Sequence, residues 1–126
     1  MEADDLCLIS GKKELKEGAK FDNGKLEHHL LSKDAIDGLI KILMFGKQKY
    51  DAWNWSKGIK YSRVYDALNR HMTAWFAGEE VDPETGLSHV YHAMCNAMFL
   101  AHYISNPEKY KEFDDRPKGV YTKEEK

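Results

Sequence analysis

The stretch that decides the fold is SHVYHAMCNAMFLAHYI, residues Ser88 to Ile104. Ser88 carries a side-chain oxygen suited to capping a helix. Val90, Met94, Ala97, Ala101 and Ile104 then share one helical face, while Phe99, Leu100 and Tyr103 make a second. A helix apolar on more than one face is central in a bundle or lies at a subunit interface. Two upstream segments carry the same period. In one, Ser32 is a candidate cap, Asp34 suits the first turn, and Ile36, Leu39, Ile40, Leu43 and Met44 form a stripe that Gly46 ends or kinks. In the other, Ser62 is the candidate cap, the stripe is Val64, Ala67, Leu68, His71, Met72 and Trp75, and Gly78 is the stop. Asn106-Pro107 opens a short, charged fourth helix with proline at its first position. With only 4 valines, 6 isoleucines and 3 threonines, strands are disfavoured. The sequence predicts an all-α fold, a small helical bundle of three main helices plus a short fourth.

Around that frame, 126 residues suit one domain with its own core. The domain is expected over 1–113, with 114–126 as a charged tail containing Pro117 and Gly119. Residues 1–31, punctuated by Gly11, Gly18 and Gly24, read as loop with a short element. Hydrophobic residues at 42% and charged residues at 32% exclude global disorder. A net charge of −2 argues against a polymeric nucleic acid as partner. No apolar run approaches the ~18 residues of a membrane span. The acidic start, Met1-Glu-Ala-Asp-Asp5, lacks the basic region of a signal peptide. Cys7 and Cys95 form no disulfide framework, so a cytoplasmic protein with free thiols is expected.

Three places could carry chemistry. His89, His92 and Asn96 fall within an arc of about 60° on the third helix. Upstream, Glu79, Glu80, Asp82 and Glu84 put four carboxylates in six residues beside the helix start. Carboxylates suit magnesium or manganese, and imidazole can join them for softer metals. Equally, the acids can serve a helix N-terminus and the histidines can be hydrogen-bonded core residues. HExxH is absent. His71 lies on an apolar stripe, where an imidazole needs a partner, and Arg70 beside it can hold a phosphate or merely snorkel. Between the first two helices, Lys47, Lys49, Tyr50, Trp53, Trp55 and Lys57 surround Asn54. Aromatic rings can stack a base, lysines can meet phosphates and an amide can read a purine edge. A packing loop with exposed lysines is the alternative. No GxxxxGK, GxGxxG or GxSxG motif is present. Cys95 reads as an inert buried thiol, and His28-His29 is assigned no role.

These residues, taken in order, resemble a family. Residues 19–26, AKFDNGKL, are similar to its opening K-x-D-x-G-K element. Phe45-Gly-Lys-Gln-Lys-Tyr50, with Asn54-Trp55 and Gly58, resembles its YGAKKY…NWxxG element. Arg70-His71, Gly78-Glu79, Asp82-Pro-Glu-Thr-Gly-Leu87, His89, His92-Ala93 and Asn96 resemble RH…GE…DPESGL-x-H-x-x-HA-x-x-N. The family is that of the phage dATP/dGTP diphosphohydrolase-like proteins, grouped with the MazG-like all-α nucleotide pyrophosphatases.

The resemblance implies an all-helical homo-oligomer in the cytoplasm of a bacterial host. It would hydrolyse a purine (deoxy)nucleoside triphosphate to monophosphate and pyrophosphate, with Mg2+ or Mn2+. Glu79, Asp82 and His89 would be catalytic, and Glu79, Asp82 and Glu84 would hold metal. Lys25, Lys47, Lys49 and Arg70 would meet phosphates, Asn54 and Trp55 the base, with Tyr50, His71, His92 and Asn96 completing the substrate site. The MazG pattern of paired E-x-x-E and E-x-x-D elements is not reproduced. Glu79-x-x-Asp82 stands at a helix end, and Asp34-x-x-Asp37, the other pair, suits an acidic first turn. A non-catalytic protein that sequesters a nucleotide signal, including a cyclic one, is therefore the alternative, and a purely structural bundle a third reading. The 3 tryptophans, 7 tyrosines and 5 phenylalanines, with the all-round apolar third helix, add to the expectation of self-association.

Overall fold

The computed structural model describes residues 16–121. The chain divides after Leu30 into two units. The first, over its described residues 16–30, is a loop. Gly24 takes a positive φ of 81° in a turn closed by Lys25 N–H on the Asp22 carbonyl (3.0 Å), and a single 3-10 turn follows at His28–Leu30.

The second unit holds the bundle. Its helices are α1 (Lys33–Lys49), α2 (Tyr61–Phe76), α3 (His89–Ser105) and the one-turn α4 (Pro107–Tyr110). The all-α expectation of three main helices and a short fourth is met, and α3 packs against both α1 and α2. Two of the three expected caps form. Ser32 accepts from the Ala35 N–H at 3.1 Å, and Ser88 accepts from the Val90 N–H at 3.1 Å. Ser62 does not cap, because α2 starts at Tyr61 and places Ser62 inside the first turn. Its free N–H is taken by a carboxylate 53 residues away: Ser62 N and Oγ both donate to Asp115, at 2.9 and 2.5 Å. The expected tail is thus anchored at its beginning. There Arg116 holds the Asp114 carboxyl down to about pKa 2 and lies 5.7 Å over the Tyr61 ring.

The α1 stripe is rotated from the expected one. Ile40 and Met44 face solvent, while Gly38 and Ile42 are buried. Gly38 explains the rotation. A Cβ there would stand 2.5 Å from Tyr91 ring atoms, so α3 approaches α1 only over a bare backbone. Gly46 neither ends nor kinks the helix, which runs on to Lys49.

The core is aromatic. Tyr61, Val64, Tyr103 and Tyr110 form its buried centre, with Trp55, Ile59, Phe99, Leu100 and Phe113 against it. Tyr61 and Tyr103 stack at 5.7 Å. The two deepest side chains satisfy their hydroxyls on one loop. Tyr103 donates to the Trp55 carbonyl and Tyr110 to the Ser56 carbonyl, each at 2.6 Å. At Gly58, φ is 106° and a Cβ would overlap the Phe113 ring, so only glycine closes this turn.

Two tests follow. Gly38→Ala should lower stability by about 1 kcal/mol net, because ring displacement outweighs the helix propensity gain. Gly46→Ala, where nothing lies within 4 Å, should raise it by up to about 1 kcal/mol. Urea midpoints of the two variants therefore move in opposite directions. Cys95 is buried on α3, and burial pushes its thiol up to about 12. In a Cys7→Ser background it should resist thiol reagents at pH 8 until the protein unfolds. The unfolded thiol ionises near ~8.5. Protection of the neutral form therefore adds stability below that pH, and the addition is lost as pH rises toward 12.

Candidate functional site

The polar residues singled out from sequence converge at one end of the α2–α3 pair. His71 comes from the C-terminal half of α2, and His89 and His92 from the first turn of α3. The loop between the helices is built to return the chain. Gly78 (φ 109°) releases α2, and the Glu79 N–H closes on the Ala74 carbonyl at 3.0 Å. Val81 then pairs with Ser88, and Asp82 N–H donates to the Leu87 carbonyl at 2.9 Å. The Asp82 side chain folds the tip. Its Oδ2 accepts from the Thr85 N–H at 3.2 Å, with Gly86 at φ 71° after it.

The histidines are joined to one another and to the acids. His71 Nδ1 lies 2.9 Å from His89 Nδ1, and His89 Nε2 lies 2.7 Å from a Glu79 carboxylate oxygen. A carboxylate only accepts, so His89 Nε2 carries the proton. In the neutral ring its Nδ1 is then a lone pair, and His71 Nδ1–H is the donor. His92 stacks on His71 with ring centroids 4.4 Å apart. Its Nε2 meets the Thr85 hydroxyl at 2.8 Å and stands 3.8 Å from Asp82. His89 is only 4% exposed. Burial is the main cause holding the His71 and His92 imidazoles below their ordinary pKa, aided by the neighbouring histidines. Asp82 acts in the opposite sense on both, and the net effect favours the neutral rings.

The three expected metal ligands are placed apart in role. Asp82 lies in the cluster. Glu79 is directed at His89, and Glu84 pairs with Lys49 across the surface at 3.0 Å. Among the described residues, the group whose ligand atoms lie within 4.8 Å of one another is His71, Asp82 and His89. His71, expected from sequence to complete the substrate site, thus joins this group. Its position on the α2 stripe, with no other partner for a buried imidazole, was the available signal.

Of the remaining expected residues, Lys49 reaches the acidic loop through Glu84. Lys47 and Arg70 are exposed, and neither forms an ion pair among the described residues. Asn96 is half-buried and donates to the His92 carbonyl of its own helix at 3.0 Å. Tyr50 is exposed, with the Lys49 ammonium 5.7 Å from its ring centre. Asn54 opens the 3-10 turn Asn54–Lys57. Trp55 belongs to the core, stacked on Phe99 at 5.3 Å with His102 edge-on at 4.9 Å. Trp53, not assigned a contact from sequence, is the exposed indole of this loop. It holds a left-handed φ of 66°, and its carbonyl takes two bonds from Ser56, at 2.9 Å from N–H and 2.6 Å from Oγ. Lys25 lies in the first unit, exposed.

No helix among the described residues is long and apolar enough to cross a membrane. A family model described as dATP/dGTP diphosphohydrolase, N-terminal, matches residues 16–116. A dATP/dGTP diphosphohydrolase of Salmonella phage PMBT28 is 36% identical over 89 residues, which are 71% of this chain and 30% of that protein. The chain spans less than a third of that relative's length. No solved structure matches the chain. With its RH, GE, DPETGL and HxxHAxxN elements gathered at one end of two helices, and with the family model covering 16–116, the chain belongs to the dATP/dGTP diphosphohydrolase N-terminal family.

Proposed function

We propose that the protein hydrolyses a purine (deoxy)nucleoside triphosphate to the monophosphate and pyrophosphate. The observation that carries this reading is the convergence of three imidazoles, Asp82 and Glu79 on one spot, flanked by Lys49. Family membership and the relative's printed activity support it. In the reaction, water attacks the α-phosphorus and the bond to the bridging oxygen of the β-phosphate breaks. Pyrophosphate departs, and the water's proton passes to a base. Glu79 is the base of choice. One of its oxygens is held by His89, and its side chain is half-exposed toward incoming substrate. Lys49 exchanges Glu84 for a phosphate oxygen, and Arg70 with Lys47 adds charge along the chain of phosphates. The exposed ring of Tyr50, next to Lys49, faces the base, since Trp55 is engaged in packing at the other end of α2. A divalent cation bound at Asp82 would neutralise phosphate charge and lower the pKa of the attacking water.

Self-association belongs to the same reading, since Ile40, Met44, Tyr65 and Ile104 remain exposed. A mass above that of one chain in light scattering at micromolar concentration is the expected result.

The test is incubation with a panel of nucleotides, cyclic ones included, with manganese or magnesium. Products are followed by chromatography, and bound ligand is recovered after denaturation. We expect deoxynucleoside monophosphate and pyrophosphate from dGTP or dATP. Glu79→Gln should reduce kcat by about 100-fold or more. Lys49→Ala or Arg70→Ala should raise KM by about ten-fold or more, as loss of a charge-assisted contact does. An intact nucleotide released only on denaturation would replace hydrolysis with sequestration. Absence of both binding and turnover would remove the nucleotide reading.

A further inference from the structure

The contact between His71 and His89 has an unusual character for a half-buried pair. Two like nitrogens, both Nδ1, face each other at 2.9 Å. Each ring turns its Nδ1 to the other, and the proton on His71 Nδ1 makes the contact attractive. Two nitrogens bound to one ion at about 2.1 Å, with a right angle between them, are themselves about 3.0 Å apart. The observed 2.9 Å is therefore also the spacing of two nitrogens held side by side on one ion. A carboxylate oxygen of Asp82 completes the set, one nitrogen of each histidine and this oxygen lying within 4.8 Å of one another. The fourth element is Glu79, which receives Nε2–H of His89 at 2.7 Å. A carboxylate on the far nitrogen is the usual support of a metal-bound histidine. It fixes the tautomer and raises the basicity of the nitrogen that binds.

We propose that His71, Asp82 and His89 bind one divalent transition-metal ion, through both Nδ1 atoms and an Asp82 oxygen, with Glu79 positioning His89. Two imidazoles and one carboxylate favour a divalent transition-metal ion over magnesium, which prefers oxygen donors. The set leaves coordination positions that the protein does not fill. Glu84, engaged with Lys49, is outside it. To bind, His71 transfers its proton from Nδ1 to Nε2, so the ion replaces the hydrogen bond between the rings. What the ion does once bound rests on the hydrolytic reading, but the binding does not.

The experiment uses the full chain, stripped with chelator, without nucleotide. Titration with Mn2+ or Co2+ followed by calorimetry should give one site per chain, and Co2+ should show visible absorption from nitrogen ligation. A hundred-fold excess of Mg2+ should not displace it. His71→Ala should weaken binding at least ten-fold, Glu79→Gln by about ten- to a hundred-fold, and Glu84→Gln by less than two-fold. Because His89 is buried and its loss endangers folding, nitrogen NMR of the wild-type rings is the second measurement. A diamagnetic ion, Zn2+, should move the His71 proton from Nδ1 to Nε2 and leave His89 protonated at Nε2. Binding that survives His71→Ala, that depends on Glu84, that magnesium matches, or that leaves the His71 tautomer unchanged would overturn the proposal, as would no binding. Metal bound as described without nucleotide turnover would sink the hydrolytic reading and leave this site standing. Turnover with magnesium alone and an unaltered His71 would do the reverse.

Discussion

The hydroxyls of Tyr103 and Tyr110 hold the structure to one arrangement. Both side chains are essentially without solvent exposure, so their hydroxyls must find protein partners. They find them on consecutive carbonyls, Trp55 and Ser56, in the 3-10 turn that joins α1 to α2. A buried hydroxyl left unpaired costs about 1–3 kcal/mol, so both tyrosines hold this turn in place. Pinned there, Trp55 lies flat on Phe99, Gly58 turns beneath Phe113, and α2 starts beside Tyr103. The register of α2 against α3 is set at this end. The other end, more than two turns of helix away, inherits it, and that is where His71 meets His89.

The site end is less apolar and is held by different forces. A buried imidazole needs a partner, and this cluster meets the need internally. His71 bonds His89, His89 bonds Glu79, and His92 bonds Thr85 while stacking on His71. The network depends on a tight loop whose own backbone is closed by Asp82 and by two glycines with positive φ. Asp82 thus has two roles, shaping the loop and facing the histidines. A loop that can be formed only with the acid turned inward presents that acid ready-made. The carboxylates of Glu79, Asp82 and Glu84, adjacent in sequence, end on three different partners because the loop sends them in three directions.

Much of the fold was legible in the residues. The period of α3, its serine cap and the Asn106-Pro107 restart follow from local rules that tertiary context did not override. Gathering His71, His89, His92 and Asp82 near one another was also within reach, since RH, DPETGL and HxxHA flank the ends of predicted helices. Other features were not readable. The cap of α2 comes from Asp115, at a sequence distance no capping rule spans. The rotation of the α1 stripe is not readable, because Gly38 looks like a weakness in a helix until Tyr91 is known to lie on it. Trp53 and Trp55, two residues apart, look alike as rings, and only packing separates the exposed one from the one stacked against the core.

Sequence by itself determined what is local: helix positions, the caps at Ser32 and Ser88, the polarity of the loop and the residue types available for chemistry. Those depend on hydrogen bonds and side-chain periods within a few residues. Tertiary structure decided which nitrogen faces which, and which acid each histidine meets. That choice depends on the rotation and register of α2 against α3, fixed by tyrosines and a glycine far from the histidines they position.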